Sequence, residues 1–134
     1  MDKNKEAVFQ SFVEKAAKRL EESKVEKHTT LYVPSIDQNI VIRNLYHPEV
    51  VECTQIEDKE DPNASDKYCI YLAVVEPDLR KVAVELKEKK QIVEYPEVVN
   101  IFEDHEITDI ATEVMKLSGV IGTKRVKVIE DLKN

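Results

Sequence analysis

Between Val75 and Val120, Pro77, Pro96 and Gly119 cut the chain into short segments, each repeating its apolar residues at helical spacing. A proline steers the residue before it to extended angles, and glycine closes a helix where left-handed backbone is needed. Three short helices are therefore predicted here, rather than one long helix or a sheet. In the first, Asp78 is placed to cap and Leu79, Val82, Ala83 and Leu86 form a stripe. Pro96 begins the second, with Val98, Val99, Ile101 and Phe102 turned inward. Asp104 can cap the third, whose face is Ile107, Ile110, Ala111, Val114, Leu117 and Ser118. The stretch carries no catalytic motif and reads as packing surface.

Upstream, Tyr68 to Val75 has almost no polar face and is expected to be the most buried helix, capped by Ser65 or Asp66 and stopped by Pro77. A central strand is the competing reading, because the run is rich in Tyr, Ile and Val. The charged run Glu57 to Ala64 predicts an exposed loop. His47-Pro48-Glu49 opens a short helix reaching about Ile56. From Thr29 the period changes to two, with Leu31 and Val33 on one face, Thr30 and Tyr32 on the other, and Ile40 to Ile42 as a second run. Pro34 to Asn39 supplies turn chemistry, so a β-hairpin is expected. Two strands alone are marginal in water. The hairpin must lie against helices or be extended by another chain, which makes its edge a candidate partner surface.

Lys5 to Ser23 is an amphipathic helix by pattern, with Phe9, Phe12, Val13, Ala16, Ala17 and Leu20 along one side. Docking on its own core is the default for such a helix. The alternative is an arm that lays the stripe into another protein or a second copy of itself. The expected class is α+β and mostly α-helical. It divides into an N-terminal helix and charged linker over residues 1–28, a domain over 29–120 holding the hairpin and about four to five short helices, and a tail over 121–134. The tail has one short periodic piece, Val126 to Leu132, and is expected to be partly disordered on its own.

Chemistry-bearing patterns are sparse. Gly119 and Gly122 are the only glycines, which leaves no phosphate-cradling loop. Glu103, Asp104, His105 and Glu106 offer metal-ligand types within one turn, yet adjacent residues at a helix start diverge, and acids there answer the helix dipole. Cys53 and Cys69 lack paired spacing and are expected to be reduced structural thiols. Cys53 and His47 face different sides of one helix, and an apolar segment disfavours a thiolate at Cys69. A net charge of -7 argues against nucleic-acid or acidic-membrane binding. The basic runs Lys87–Lys90 and Lys124–Lys127 read as solvated helix ends, and Tyr68, Tyr71 and Phe102 as core aromatics not free to stack on bases. The start lacks a secretory signal, and the longest apolar run is far shorter than the about 20 residues a membrane span takes. No enzyme, cofactor or metal is expected.

Two segments, YLAVVEPDLRKVAVEL from Tyr71 to Leu86 and EVVNIFEDHEITDIATEVMKLSGV from Glu97 to Val120, resemble the C-terminal half of the XkdN-like phage tail assembly chaperones. The likeness extends from about Thr29 to Val120. It departs at Ile36 to Tyr46, where that family commonly has a longer hairpin with tryptophan and this chain has none. The resemblance implies a non-enzymatic protein made in the host bacterial cytoplasm and absent from the mature virion. Its implied partners are the tape measure protein, whose apolar helices it covers, and the tail tube protein. Phe9, Phe12, Val13 and Leu20 on the first helix, with Leu79, Val82 and Leu86 after Pro77, are the candidate partner-binding residues. A structural component retained in the virion and an acidic regulator of a basic partner are the alternatives.

Overall fold

A computed structural model describes residues 2–122 and 124–130. The chain is α+β and mostly helical, in the order α1 (Lys3–Ser23), β1 (His28–Val33), β2 (Gln38–Arg43), α2 (His47–Thr54), α3 (Ala64–Ala73), β3 (Val74–Glu76), α4 (Leu79–Glu88) and α5 (Asp104–Leu117). Short 3-10 turns occupy Pro34–Ile36 and Tyr95–Ile101.

The hairpin forms as its period-two pattern predicts. Leu31 pairs with Ile40 and Val33 with Gln38, in an antiparallel ladder turned at Asp37, whose φ of 48° lies in the left-handed region. A third strand forms at the end of the run whose preferred reading is a helix. The helix predicted through Val75 stops at Ala73, and Val74–Glu76 pairs antiparallel with β2. Pro77 explains both events, since it forces the residue before it out of helical angles, and Val-Val ahead of it suits a strand. β2 thereby becomes the central strand, with Ile40 and Ile42 fully buried.

Three further details differ from the expectations. Neither Ser65 nor Asp66 caps α3; Ser65 Oγ instead donates to the Cys53 carbonyl at 2.7 Å, tying α3 to α2. Asp104 is the first helical residue of α5 and Glu103 stands at the cap, its N–H donating to Glu106 Oε1 at 3.0 Å. The segment after Pro96 is a 3-10 turn, in which Val98 and Val99 are buried; extended backbone at Phe102 turns that ring inward and leaves Ile101 exposed. Asp78 does cap α4, accepting from Arg80 N at 3.0 Å, and Gly119 closes α5 at φ 79°.

α3 packs on α5, α2 and the Tyr95–Ile101 turn, while α5 covers β1 and β2. α3 has no exposed residue, as expected of the most buried helix, whereas α5 buries one face and leaves the other in solvent. The core draws on every element from β1 to α5 and on no residue of α1. Lys24 to Lys27 joins α1 to the domain, where Lys27 N donates to Asn44 Oδ1 at 2.7 Å and Asn44 N to the Lys27 carbonyl at 3.1 Å. Residues 120–122 and 124–130 take no helix or strand, so Lys124, Arg125 and Lys127 are not a helix end. Leu132, which closes the short periodic piece, lies outside the described residues.

A core finished without α1 has a measurable consequence. Ile107→Ala should lower unfolding free energy by about 2–5 kcal/mol in urea titration, whereas Phe12→Ala should stay within about 0.5 kcal/mol of the parent. A Phe12→Ala cost as large as that of Ile107→Ala would mean α1 is packed on the domain.

Candidate interaction surface

α1 is a helix held by its own ends and side chains. Asp2 caps it, accepting from Lys5 N at 2.8 Å, and Arg19–Glu22 and Glu21–Lys24 pairs lie along its polar side. Such exposed pairs add little. The default expectation, docking on the domain core, is not what the structure shows: Phe9, Phe12, Val13 and Leu20 are 56%, 73%, 45% and 63% exposed. The core is completed by the elements from β1 to α5, and no residue of α1 is buried in it. Burying a Phe, Val or Leu side chain stabilises by about 1.5–3 kcal/mol, so the uncovered ridge is a large store of association energy. It runs about 16 Å along the axis from Phe9 to Leu20 at 1.5 Å per residue. Val8, one turn before Phe12 and 69% exposed, broadens it, as the i, i+4 spacing could have indicated.

The second set of candidate residues is placed differently. Leu79 is 1% exposed and belongs to the core, while Val82 and Leu86 are half-buried against it. Their stripe faces inward because α4 packs on the Tyr95–Ile101 turn. The structure does not bring α4 and α1 into one surface. Where α1 meets the domain, Arg19, Ser23 and Val25 line an open groove of about 230 Å³ with Asn44, Tyr46, His47 and Gly119.

Exposed aromatics are more numerous than expected, since Phe9, Phe12, Tyr32, Tyr46 and Tyr95 all face solvent, and Lys87 Nζ lies 4.4 Å from the Tyr95 ring centre. Phe102 is buried, and Tyr68 and Tyr71 are half-buried against the core. Tyr68 donates to Glu52, which pushes its phenol up to about 12.

Glu103, Asp104, His105 and Glu106 diverge. His105 is exposed beside Glu103 at 3.4 Å, whereas Glu106 is covered and accepts from Ser35 N at 3.1 Å, Ser35 Oγ at 2.5 Å and Glu103 N. The Ser35 hydroxyl and then the Glu103 amide hold its carboxyl below the usual carboxylate range, against the opposing effect of desolvation. Among the described residues, no group of three or more His, Cys, Asp or Glu side chains converges as metal ligands would. The two thiols, well apart in sequence, meet across the α2–α3 contact as buried free cysteines. Contact with Cys53 and burial push the Cys69 thiol up, while the same contact lowers Cys53. His47 is exposed and Cys53 buried.

No family model, curated protein or solved structure matches the chain. Among the described residues, no helix is long and apolar enough to cross a membrane.

Glu106 ties the hairpin tip to α5 most strongly when ionised. Its folded pKa is below its unfolded one, so the contribution is complete above the ordinary carboxylate range and is lost as pH falls through the folded value. Glu106→Gln should therefore lower the urea midpoint at neutral pH, and the gap to the parent should narrow in acid. A gap that stays constant with pH would show that the charge is irrelevant to the tie.

Proposed function

We propose that this chain is a non-enzymatic assembly chaperone of the phage tail kind, acting in the host bacterial cytoplasm and leaving before the virion is complete. The observation that carries the reading is the bare ridge of α1 on a domain whose core is finished without it. A helix-in-groove or helix-on-helix contact, read as Phe9, Phe12, Val13 and Leu20 anchors, suits a client with long apolar helical seams. The tape measure protein is the proposed client. Tail tube subunits are the proposed recipients of the loaded complex. An acidic domain around the ridge keeps such a complex dispersed. The likeness of Tyr71–Leu86 and Glu97–Val120 to the XkdN-like chaperones supports the particular client, and the geometry of α1 supports the mode of binding.

Co-expression of this chain with a tape measure protein should raise the soluble yield of the latter and allow the two to be purified together. The double variant Phe12→Ala/Leu20→Ala should lose that effect while retaining the parent's thermal unfolding. Failure of the parent chain to co-purify with or solubilise the client would reject the chaperone reading. Equal capture by the double variant would move the contact away from α1, and a stoichiometric amount of the chain in purified virions would favour a structural tail component.

A further inference from the structure

The free edge of β1 and the segment Lys124–Ile129 have complementary chemistry. β1 is an outer strand, with only β2 beside it. Edge strands are commonly blunted by lysine, proline or a bulge, because alternate residues offer unpaired N–H and C=O groups to any passing strand. His28-Thr-Thr-Leu-Tyr-Val33 has none of these devices, and its ladder with β2 is regular throughout. Pro34 comes only after the strand has ended. A groove of about 150 Å³ runs along this edge. Leu31, Tyr32 and Val33 of the strand line it together with Pro34 just beyond. Its other wall is α5, which contributes the buried Ile110 and Glu106 and the more open carboxylates of Asp109 and Glu113.

Lys124-Arg125-Val126-Lys127-Val128-Ile129 is the basic, β-branched counterpart. Val126, Val128 and Ile129 are 104%, 82% and 91% exposed, so nothing in the chain's own body covers them. Laid along β1, the segment would put Arg125, Lys127 and Ile129 on the α5 side, against Asp109, Glu113 and Ile110. Val126 and Val128 would then flank Tyr32, itself exposed, on the other side.

We infer that Lys124–Ile129 adds as a fourth strand to the β1 edge of a second copy of this chain, the two copies exchanging segments reciprocally. The path of the chain favours exchange. Leu117 to Gly119 share a groove with Lys27 and Asn44, beside the start of β1. From there a segment laid on its own β1 would run parallel to it, in the weaker of the two ladder geometries. Two copies are free to adopt the antiparallel ladder, and a reciprocal contact closes at a dimer. This inference is independent of the α1 ridge.

Sedimentation of the full chain over about two decades of concentration tests it. The parent should reach the mass of two chains, and added salt should weaken the association. Val126→Asp/Val128→Asp should give one chain, as should Asp109→Lys/Glu113→Lys. Adding Arg125→Glu/Lys127→Glu to the latter should restore the dimer, a recovery that misfolding would not produce. Phe12→Ala/Leu20→Ala should leave the mass unchanged. A parent that is monomeric throughout, a dimer that survives the two aspartates, absence of rescue by the charge swap, or dissociation by the α1 variant would each overturn it. Slow amide exchange at Val126–Val128 in a monomer would show the strand closing on its own chain instead.

Discussion

Pairing of Val74–Glu76 with β2 is the contact from which the rest of the architecture follows. It encloses β2 on both edges, buries Ile40 and Ile42, and fixes the end of α3 against the sheet, so that α5 can cover β1 and β2 while α4 returns over the Tyr95–Ile101 turn. That ring of contacts is complete without α1, which contributes no buried residue. The exposure of the N-terminal ridge is thus a result of how the core closes, and not a property of α1 alone.

Polar contacts place the elements more than they stabilise them. Arg43 holds Glu49 through two bonds of 2.9 and 2.6 Å, fixing the start of α2 to the end of β2, and the guanidinium keeps that carboxyl below its usual range. Ser35 and Glu106 tie the hairpin tip to the first turn of α5. At the other end of α5, Ser118 Oγ accepts from Leu45 N at 2.8 Å and donates to the Val114 carbonyl at 2.7 Å. The hairpin is therefore anchored at both ends of one helix, which leaves the outer edge of β1 straight and open between the anchors. The two proposed partner surfaces lie where such anchoring stops: on α1, beyond the Lys27–Asn44 contact, and along β1.

Local rules account for much of what was legible in advance. Asp78, Pro77 and Gly119 punctuated the helices correctly because capping, pre-proline geometry and left-handed closure depend on neighbours in sequence. The hairpin was legible from alternation, and the α1 stripe from its spacing. Val74–Glu76 was missed since three residues carry too little periodicity to separate a strand from the last turn of a helix. Glu106 was legible as an acid in the first turn of a helix, where it completes a capping box with Glu103, but its serine partner, 71 residues away, was not.

By itself the sequence determined the helical or extended character of most segments, α1, the β1–β2 hairpin and α5 among them, and which side of each is apolar, because those choices are set within a few residues by backbone sterics and side-chain spacing. It also determined that nucleotide-cradling loops are missing, since too few glycines exist to form them. Tertiary structure alone decided which apolar faces are covered. Leu79 and Phe12 carry the same signal in their helices, yet one is sealed and the other bare, because burial depends on contacts between distant segments competing for a limited core.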